Sequence, residues 1–101
     1  MKITLSDQAV SWFEEYFPLD EGESVRFFGK TYGNTEIHDG FSVGMTLDRI
    51  ETRKDIMAVT EINNRNYFIG LEDEWFFNGY DLSINIDPTF GEPRYHFHPN
   101  E

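Results

Sequence analysis

The chain opens with a short alternation of apolar and polar residues, followed by an apolar face of helical spacing. The alternation over residues 2–5 predicts the start of a strand. The apolar residues that follow recur every three or four positions, which predicts one amphipathic helix over 7–17. Ser6 is suited to accept a hydrogen bond from the first turn of this helix. Pro18 should end it, because the residue before a proline is pushed out of the α region.

The remainder of the chain predicts strands separated by turns. Strict alternation, or enrichment in β-branched and aromatic residues, favours extended backbone in six runs. These runs cover 24–31, 41–48, 56–62, 67–71, 82–86 and 94–98. Between them, Asn63-Asn64-Arg65-Asn66 predicts a hairpin turn, 72–77 predicts one helical turn, and Asn78-Gly79 predicts a further turn.

One helix followed by six or seven strands predicts an α+β fold. In this fold the N-terminal helix packs on a mostly antiparallel β-structure of barrel-like or sandwich form. The length of 101 residues predicts a single domain over 1–101.

Consecutive aromatic residues pose a packing question. They occur as Phe27-Phe28, Tyr67-Phe68 and Trp75-Phe76-Phe77. Neighbours on a strand point to opposite faces, so each run sends at least one ring away from a single core. Either a second layer covers these rings, with the N-terminal helix as the simpler candidate, or some form an exposed patch suited to self-association.

The charge of the chain restricts its partners. Nineteen acidic residues against eight basic ones give a formal net charge of −11. This balance disfavours nucleic acid and anionic membrane surfaces, which both require clustered Lys and Arg. It permits attraction of divalent cations or basic partners.

No apolar run reaches the ~18 residues of a membrane span, and the N-terminal residues do not resemble a signal peptide, so a cytoplasmic location is expected.

The absence of cysteine excludes disulfides and thiolate chemistry. Two segments, Ile3-Thr4-Leu5-Ser6-Asp7-Gln8-Ala9 and Phe77-Asn78-Gly79-Tyr80-Asp81-Leu82, nevertheless resemble the HesB-like, A-type iron–sulfur carrier family. Residues 90–100 resemble the approach of that family to its C-terminal cysteines. Tyr32-Gly33-Asn34-Thr35 resembles its Gly-Cys-Ser loop, with Asn34 in the place of the first cysteine.

This resemblance implies the HesB-like fold and a connection with iron–sulfur cluster assembly. None of the thiolate ligands has a counterpart here. The resemblance therefore implies a non-enzymatic scaffold that has lost its cluster ligands and acts by binding a protein partner.

His96-x-His98 is the best local candidate for metal binding. Residues two apart on a strand face the same side, so two imidazoles can share one zinc, iron or copper ion. Further ligands would come from Glu92, Glu101, or Glu36 and His38. The same spacing also arises when two aromatic rings pack on one face.

Other polar clusters read as ordinary surface. Glu36 and His38 offer an acid–base pair for a small enzyme, but they lie in a loop rich in turn formers. The acidic run 72–74 is interpreted as a solvated helix start. The basic cluster within 49–54 is interpreted as a solvated connection, because acidic residues interleave with it.

Three hypotheses follow. The leading one is the partner-binding scaffold, and the alternatives are a metal-binding or delivery protein using His96 and His98, and the small enzyme. No nucleophile, phosphate-loop or dinucleotide motif is present, so no enzymatic activity is expected. No resident cofactor is expected beyond a divalent metal ion. The expected partners are a protein or a second copy of the chain, without nucleic acid or membrane.

Overall fold

The computed structural model describes residues 1–31, 33, 35, 37, 40–53 and 55–100. This part of the chain forms seven strands, two α-helices and two short 3₁₀ turns. The helices are α1 (Asp7–Tyr16) and α2 (Glu74–Phe77), and the 3₁₀ turns are Ile50–Thr52 and Leu71–Asp73. The strands are β1 (Ile3–Leu5), β2 (Ser24–Lys30), β3 (Ser42–Asp48), β4 (Ile56–Ile62), β5 (Arg65–Gly70), β6 (Tyr80–Ile86) and β7 (Pro93–Pro99).

The strands form two mixed sheets. The smaller sheet has the order β1-β6-β7, with β1 parallel and β7 antiparallel to β6. The larger sheet has the order β3-β2-β5-β4, with β2 parallel to β5 and the other pairs antiparallel. The predicted α+β class is confirmed in its sandwich form, because the described strands do not close into a barrel.

Helix α1 is fixed at both ends. At its N-terminus, Ser6 Oγ accepts a hydrogen bond from the backbone N–H of Ala9 at 3.1 Å, as predicted. At its C-terminus, the Arg65 guanidinium donates to the carbonyl of Phe17 at 2.7 Å and, more weakly, to that of Phe13 at 3.4 Å. A cation at this end offsets the partial negative charge of the helix dipole. The helix ends at Tyr16, one residue before the predicted boundary.

The core lies between α1 and the inner faces of the sheets. Phe13 of α1 is fully buried, and its ring contacts the rings of Phe27 and Tyr67 with centroids 5.8 Å away in each case. At the other end of the core, Phe76 and Phe77 of α2 pack on Phe97 of β7. Such aromatic contacts supply much of the buried apolar area of a small domain.

The N-terminal helix is not the layer that buries every consecutive ring. Phe68 is fully buried but stands on the outer face of the larger sheet, where its register partners are Arg26 and Val59. On that same face the Phe28 ring lies across Gly44, and the Arg26 guanidinium sits 5.1 Å above the Phe28 ring. Side chains of the sheet itself therefore supply part of the second layer.

The hairpin between β4 and β5 is tighter than predicted. Strand β5 begins at Arg65, so the turn consists of Asn63 and Asn64 alone. Their φ angles are +55° and +64°, as a type I′ turn requires. Asparagine tolerates this left-handed conformation better than most residues, which explains why two asparagines follow one another here.

All six predicted strands are present within two residues of their predicted ends. No helix of the described residues has the length and apolar character needed to cross a bilayer.

Candidate functional site

The two histidines of the predicted metal site share the outer face of β7. Phe97 between them is buried, so the flanking imidazoles of His96 and His98 point away from the core. Across the strand pair they lie opposite Ser83 and Asp81 of β6. The Ser83 hydroxyl and His98 Nε2 are 3.0 Å apart. This placement agrees with the predicted strand geometry.

The further ligands do not complete a site within the described residues. Glu92 is exposed and precedes β7, whereas Glu36, His38 and Glu101 lie outside the described part of the chain, as does Asn34. Among the residues that the structure describes, no three His, Asp or Glu side chains are grouped so as to hold a metal ion. Metal binding by the histidine pair stays a prediction, and so does an acid–base pair of Glu36 and His38.

A charged cluster connects β2, β3 and the segment before α2. It joins two arginines to three carboxylates, with Arg26 Nε 3.0 Å from Asp48 Oδ2 and Arg53 2.6 Å from the same oxygen. Arg26 also reaches Asp73 at 3.5 Å, and Arg53 pairs with Glu72. Because both arginines are bound to carboxylates, the cluster offers no unpaired cation to a phosphate.

The acidic run 72–74 was interpreted as solvated, and this is wrong for Asp73. Its side chain is buried, with the residue only 6% exposed, and it accepts a hydrogen bond from the backbone N–H of Gly29 at 3.2 Å. Burial raises the pKa of Asp73 and outweighs the opposing effects of Gly29 and Arg26. Hydrogen bonds from Arg53 lower the pKa values of Asp48 and Glu72. The cluster therefore has a structural role, because it holds β2, β3 and the segment before α2 together.

A groove of about 520 Å³ runs between α1 and the turn that joins β6 to β7. Trp12 of α1 and Ile86 of β6 line it as half-buried apolar residues, and Tyr16 stands exposed at the end of the helix. The Trp12 ring is held by contacts with Phe13, Tyr16 and Phe17 at centroid distances of 5.0, 5.2 and 5.4 Å. The full lining comprises Asp7, Gln8, Ser11, Trp12, Glu15, Tyr16, Ile86, Asp87, Pro88 and Gly91.

The turn on the other side of this groove is held by Asp87. Its Oδ1 accepts hydrogen bonds from the backbone N–H groups of Thr89 at 2.7 Å and Phe90 at 3.2 Å. Its second oxygen pairs with Arg94. The hydrogen bonds from Thr89, followed by those from Phe90 and Arg94, lower the pKa of Asp87. This internally bonded turn presents the Phe90 ring, and Phe90 is 75% exposed.

The charges around the groove are acidic. Asp7 and Glu15 line its helical side, and among the residues that the structure describes neither Lys nor Arg lines it. Of the other cavities along the described residues, one of about 720 Å³ has Lys30 and Arg94 in its lining. We call this groove, together with the exposed Phe90 that lies between the lining residues Pro88 and Gly91 in the chain, the helix–turn surface; it is defined by Asp7, Trp12, Glu15, Tyr16, Pro88 and Phe90.

The helix–turn surface was not predicted from the sequence. The helical spacing over 7–17 includes Tyr16 among its apolar positions, whereas Tyr16 is 59% exposed. Pro88, Gly91 and Pro93 were interpreted as breaks in the chain, and residues 90–100 as part of the family resemblance. The available signal was Phe90, an aromatic residue between Pro88 and Gly91. Turns lie at the surface, whereas large aromatic side chains are usually buried, so an aromatic ring in a turn indicates a candidate binding surface.

Comparison with known proteins finds no matching family model. The chain is 28% identical over 97 residues to the pyruvate dehydrogenase inhibitor of Bacillus subtilis (strain 168), covering 96% of this chain and 99% of that protein. It is 33% identical over 102 residues to an uncharacterised protein of Staphylococcus saprophyticus, covering 94% and 97%. An uncharacterised protein of Staphylococcus haemolyticus is 32% identical over 87 residues. The chain belongs to the family of these staphylococcal proteins.

These relatives overturn the resemblance to HesB-like iron–sulfur carriers. The named relative is an inhibitor of pyruvate dehydrogenase, and the names of the others carry no link to iron–sulfur assembly. The interpretation as an iron–sulfur scaffold is therefore wrong. The physical reason is that the clearest of the matching segments are a capped helix start and an Asn-Gly turn, which many unrelated folds contain.

Proposed function

We propose that this chain is a non-enzymatic regulatory protein that binds and inhibits pyruvate dehydrogenase. The observation that carries the proposal is the similarity to a protein of that name over 96% of this chain and 99% of the relative. A likeness of this extent covers nearly the whole chain, unlike one confined to a short motif. As part of the same proposal, the protein acts in the cytoplasm.

The helix–turn surface supports a role in protein binding. Interfaces draw most of their binding energy from a few aromatic or Arg side chains that become desolvated on association. Tyr16 and Phe90 expose such rings, and both stand on elements that are fixed by hydrogen bonds before any partner arrives. An inhibitor that acts by binding needs a surface of this kind and no catalytic group.

The test is a titration of pyruvate dehydrogenase from the organism that encodes this chain. Activity is followed as pyruvate-dependent reduction of an electron acceptor while the purified chain is added. We expect activity to fall to a constant residual value and the half-inhibiting concentration to match the dissociation constant from a separate binding measurement. The chain unfolded by heat and cooled in denaturant serves as the control for nonspecific effects of an acidic polypeptide.

Full activity with the chain present at 50-fold molar excess would refute the proposal. Inhibition without measurable binding would refute it as well, because it would indicate consumption of a substrate by a contaminating or intrinsic activity. Only saturable inhibition with matched binding agrees with a regulatory protein.

A further inference from the structure

We infer that the helix–turn surface is the face that contacts pyruvate dehydrogenase, and that it receives a basic segment carrying an apolar or aromatic anchor side chain. This inference rests on the proposed function for the identity of the partner. The position of the surface and the chemistry of its occupant rest on exposure, charge and rigidity of the described residues.

The distribution of exposed apolar side chains selects this face. Tyr16 and Phe90 belong to the two elements that border one groove, and the half-buried Trp12 and Ile86 line it between them. The other exposed large apolar residues of the described chain lie on other elements, and they are Val59 on the edge strand β4, Leu71 in the 3₁₀ turn before α2, and Trp75 on α2, whose ring packs against that of Phe76. The helix–turn surface thus combines a concave apolar lining with projecting rings, which is the arrangement that buries an anchor side chain.

The acidic side chains beside the groove favour a basic occupant. Helix α1 carries the acidic residues Asp7, Glu14 and Glu15 and no basic residue. Two arginines that bond to the walls of the groove are already engaged, with Arg94 paired to Asp87 and Arg65 bound to the carbonyls at the end of α1. An anionic segment would be repelled, whereas Lys or Arg beside an apolar anchor would meet Asp7 and Glu15 at the rim.

The rigidity of both walls favours binding. The Ser6 cap and the Arg65 contacts fix α1, and Asp87 fixes the opposite turn through Thr89 and Phe90. A surface that is ordered before association loses less conformational entropy when the partner binds. The aromatic rings can therefore act as anchors without a prior folding step.

The inference is tested with surface variants in the inhibition and binding assays. Phe90→Ser and the double variant Tyr16→Ser/Phe90→Ser remove the projecting rings, and Val59→Ser is the matched control, because Val59 is 52% exposed and lies on another element. We expect Phe90→Ser to raise the half-inhibiting concentration about 30-fold, as for an exposed aromatic ring that becomes desolvated on association, and the double variant to raise it further. Val59→Ser should change it less than about twofold. Unchanged thermal midpoints establish that the variants remain folded.

Charge reversal tests the chemistry of the partner. Glu15→Lys should weaken binding about tenfold and lower its sensitivity to salt, whereas Glu61→Lys on β4 makes the same change of net charge away from the groove and should have little effect. Tighter binding by Glu15→Lys would show that the occupant is not basic and would overturn the inference.

The outcomes separate the inference from the proposed function. If the unaltered chain inhibits and Phe90→Ser inhibits equally well, the inference fails while the proposed function stands. If the unaltered chain neither binds nor inhibits, both fail. Sedimentation of the chain alone adds a further test, since a concentration-dependent dimer that Phe90→Ser abolishes would assign the surface to a second copy and overturn the inference.

Discussion

At the scale of single residues, two glycines show how aromatic packing constrains the strands. A Cβ atom built on Gly29 would lie 2.6 Å from Cδ2 of Phe76, and one built on Gly44 would lie 2.4 Å from Cζ of Phe28. Both distances are far below ordinary contact. The two rings differ, however, because Phe76 is fully enclosed in the core whereas Phe28 is half-buried on the outer face.

We therefore expect Gly29→Ala to destabilise the fold by about 1–3 kcal/mol, because the enclosed Phe76 ring cannot move away. Gly44→Ala should cost less, since Phe28 can turn towards solvent and alanine is favoured over glycine within a strand. Urea unfolding of the two variants measures the difference. Equal costs, or a greater cost at Gly44, would contradict the assignment of Phe76 to the rigid core.

The buried Asp73 gives a prediction about pH. Its pKa is raised above the ordinary value of 3.8 in the folded protein, so folding disfavours its charged form. The stability that Asp73 contributes is then greatest below 3.8 and is lost as the pH rises through the folded pKa. Asp48 and Glu72, whose pKa values are lowered, contribute in the opposite direction and lose their contribution as the pH falls.

The variant Asp73→Asn isolates this effect, because it does not titrate and keeps an oxygen for the Gly29 N–H. Relative to this variant, the unaltered protein should become more stable as the pH is lowered from 7 towards 4. The measurement is the free energy of unfolding in urea at both pH values. A difference that moves the other way would mean that Arg26, rather than burial, controls Asp73.

The residue scale also shows where sequence reasoning reached its limit. Ser6 was identified as a helix cap because capping depends on neighbours within one turn. Asp73 was assigned to solvent because its partners, Gly29 and Arg26, are 44 and 47 residues away along the chain. Composition within a local window carries no information about such contacts.

At the scale of elements, α1 depends on a residue from a distant hairpin. Arg65 donates to the carbonyl of Phe17 at 2.7 Å, while its Nε is buried without a hydrogen-bond partner among the described residues. Replacing Arg65 with Met should destabilise the fold by about 1–2 kcal/mol, because the charged hydrogen bonds are lost but the unpaired donor is also removed.

The control for this prediction is Glu14→Ala, which removes a hydrogen bond between the hairpin and α1 and leaves the left-handed turn at Asn63 unchanged. Asn63 donates to Glu14 at 2.8 Å in an exposed position, so the loss of this bond should cost less than about 0.5 kcal/mol. Amide hydrogen exchange should show faster opening of the last turn of α1 in the Arg65 variant only. Uniformly faster exchange across α1 in both variants would contradict a role for Arg65 at the helix end.

Element boundaries were predictable because the periods of 2.0 and 3.6 are local properties. The order of the strands within the sheets was not predictable from the sequence. The parallel pairs β1–β6 and β2–β5 join segments that are about 79 and 42 positions apart in register, and no alternation pattern distinguishes them from antiparallel pairs. The groove of the helix–turn surface arises from one of these long-range arrangements, which explains why it escaped sequence analysis.

At the scale of the whole molecule, charge is the property that the sequence established directly. Its consequence for the chemistry of partners stays a prediction, whereas the family resemblance was wrong, since its clearest parts were two short segments. Near full-length similarity carries more weight than such segments, since it requires the same spacing of core and turn positions along the entire chain.

The net charge of −11 also predicts how salt acts on the free protein. The molecule measures 37 × 35 × 25 Å, so at about 0.01 M salt, where the Debye length is ~30 Å, most charges repel one another across the fold. Raising the salt to about 0.5 M should therefore increase the thermal midpoint, because the excess carboxylates are screened while the ion pairs of Arg26 and Arg53 are short and partly buried. The same salt should weaken inhibition of pyruvate dehydrogenase if its contacting segment is basic. Scanning calorimetry measures the midpoint, and a neutral osmolyte as control distinguishes charge screening from general solvent effects. A thermal midpoint that falls with salt would show that the stabilising ion pairs outweigh the repulsion among the carboxylates.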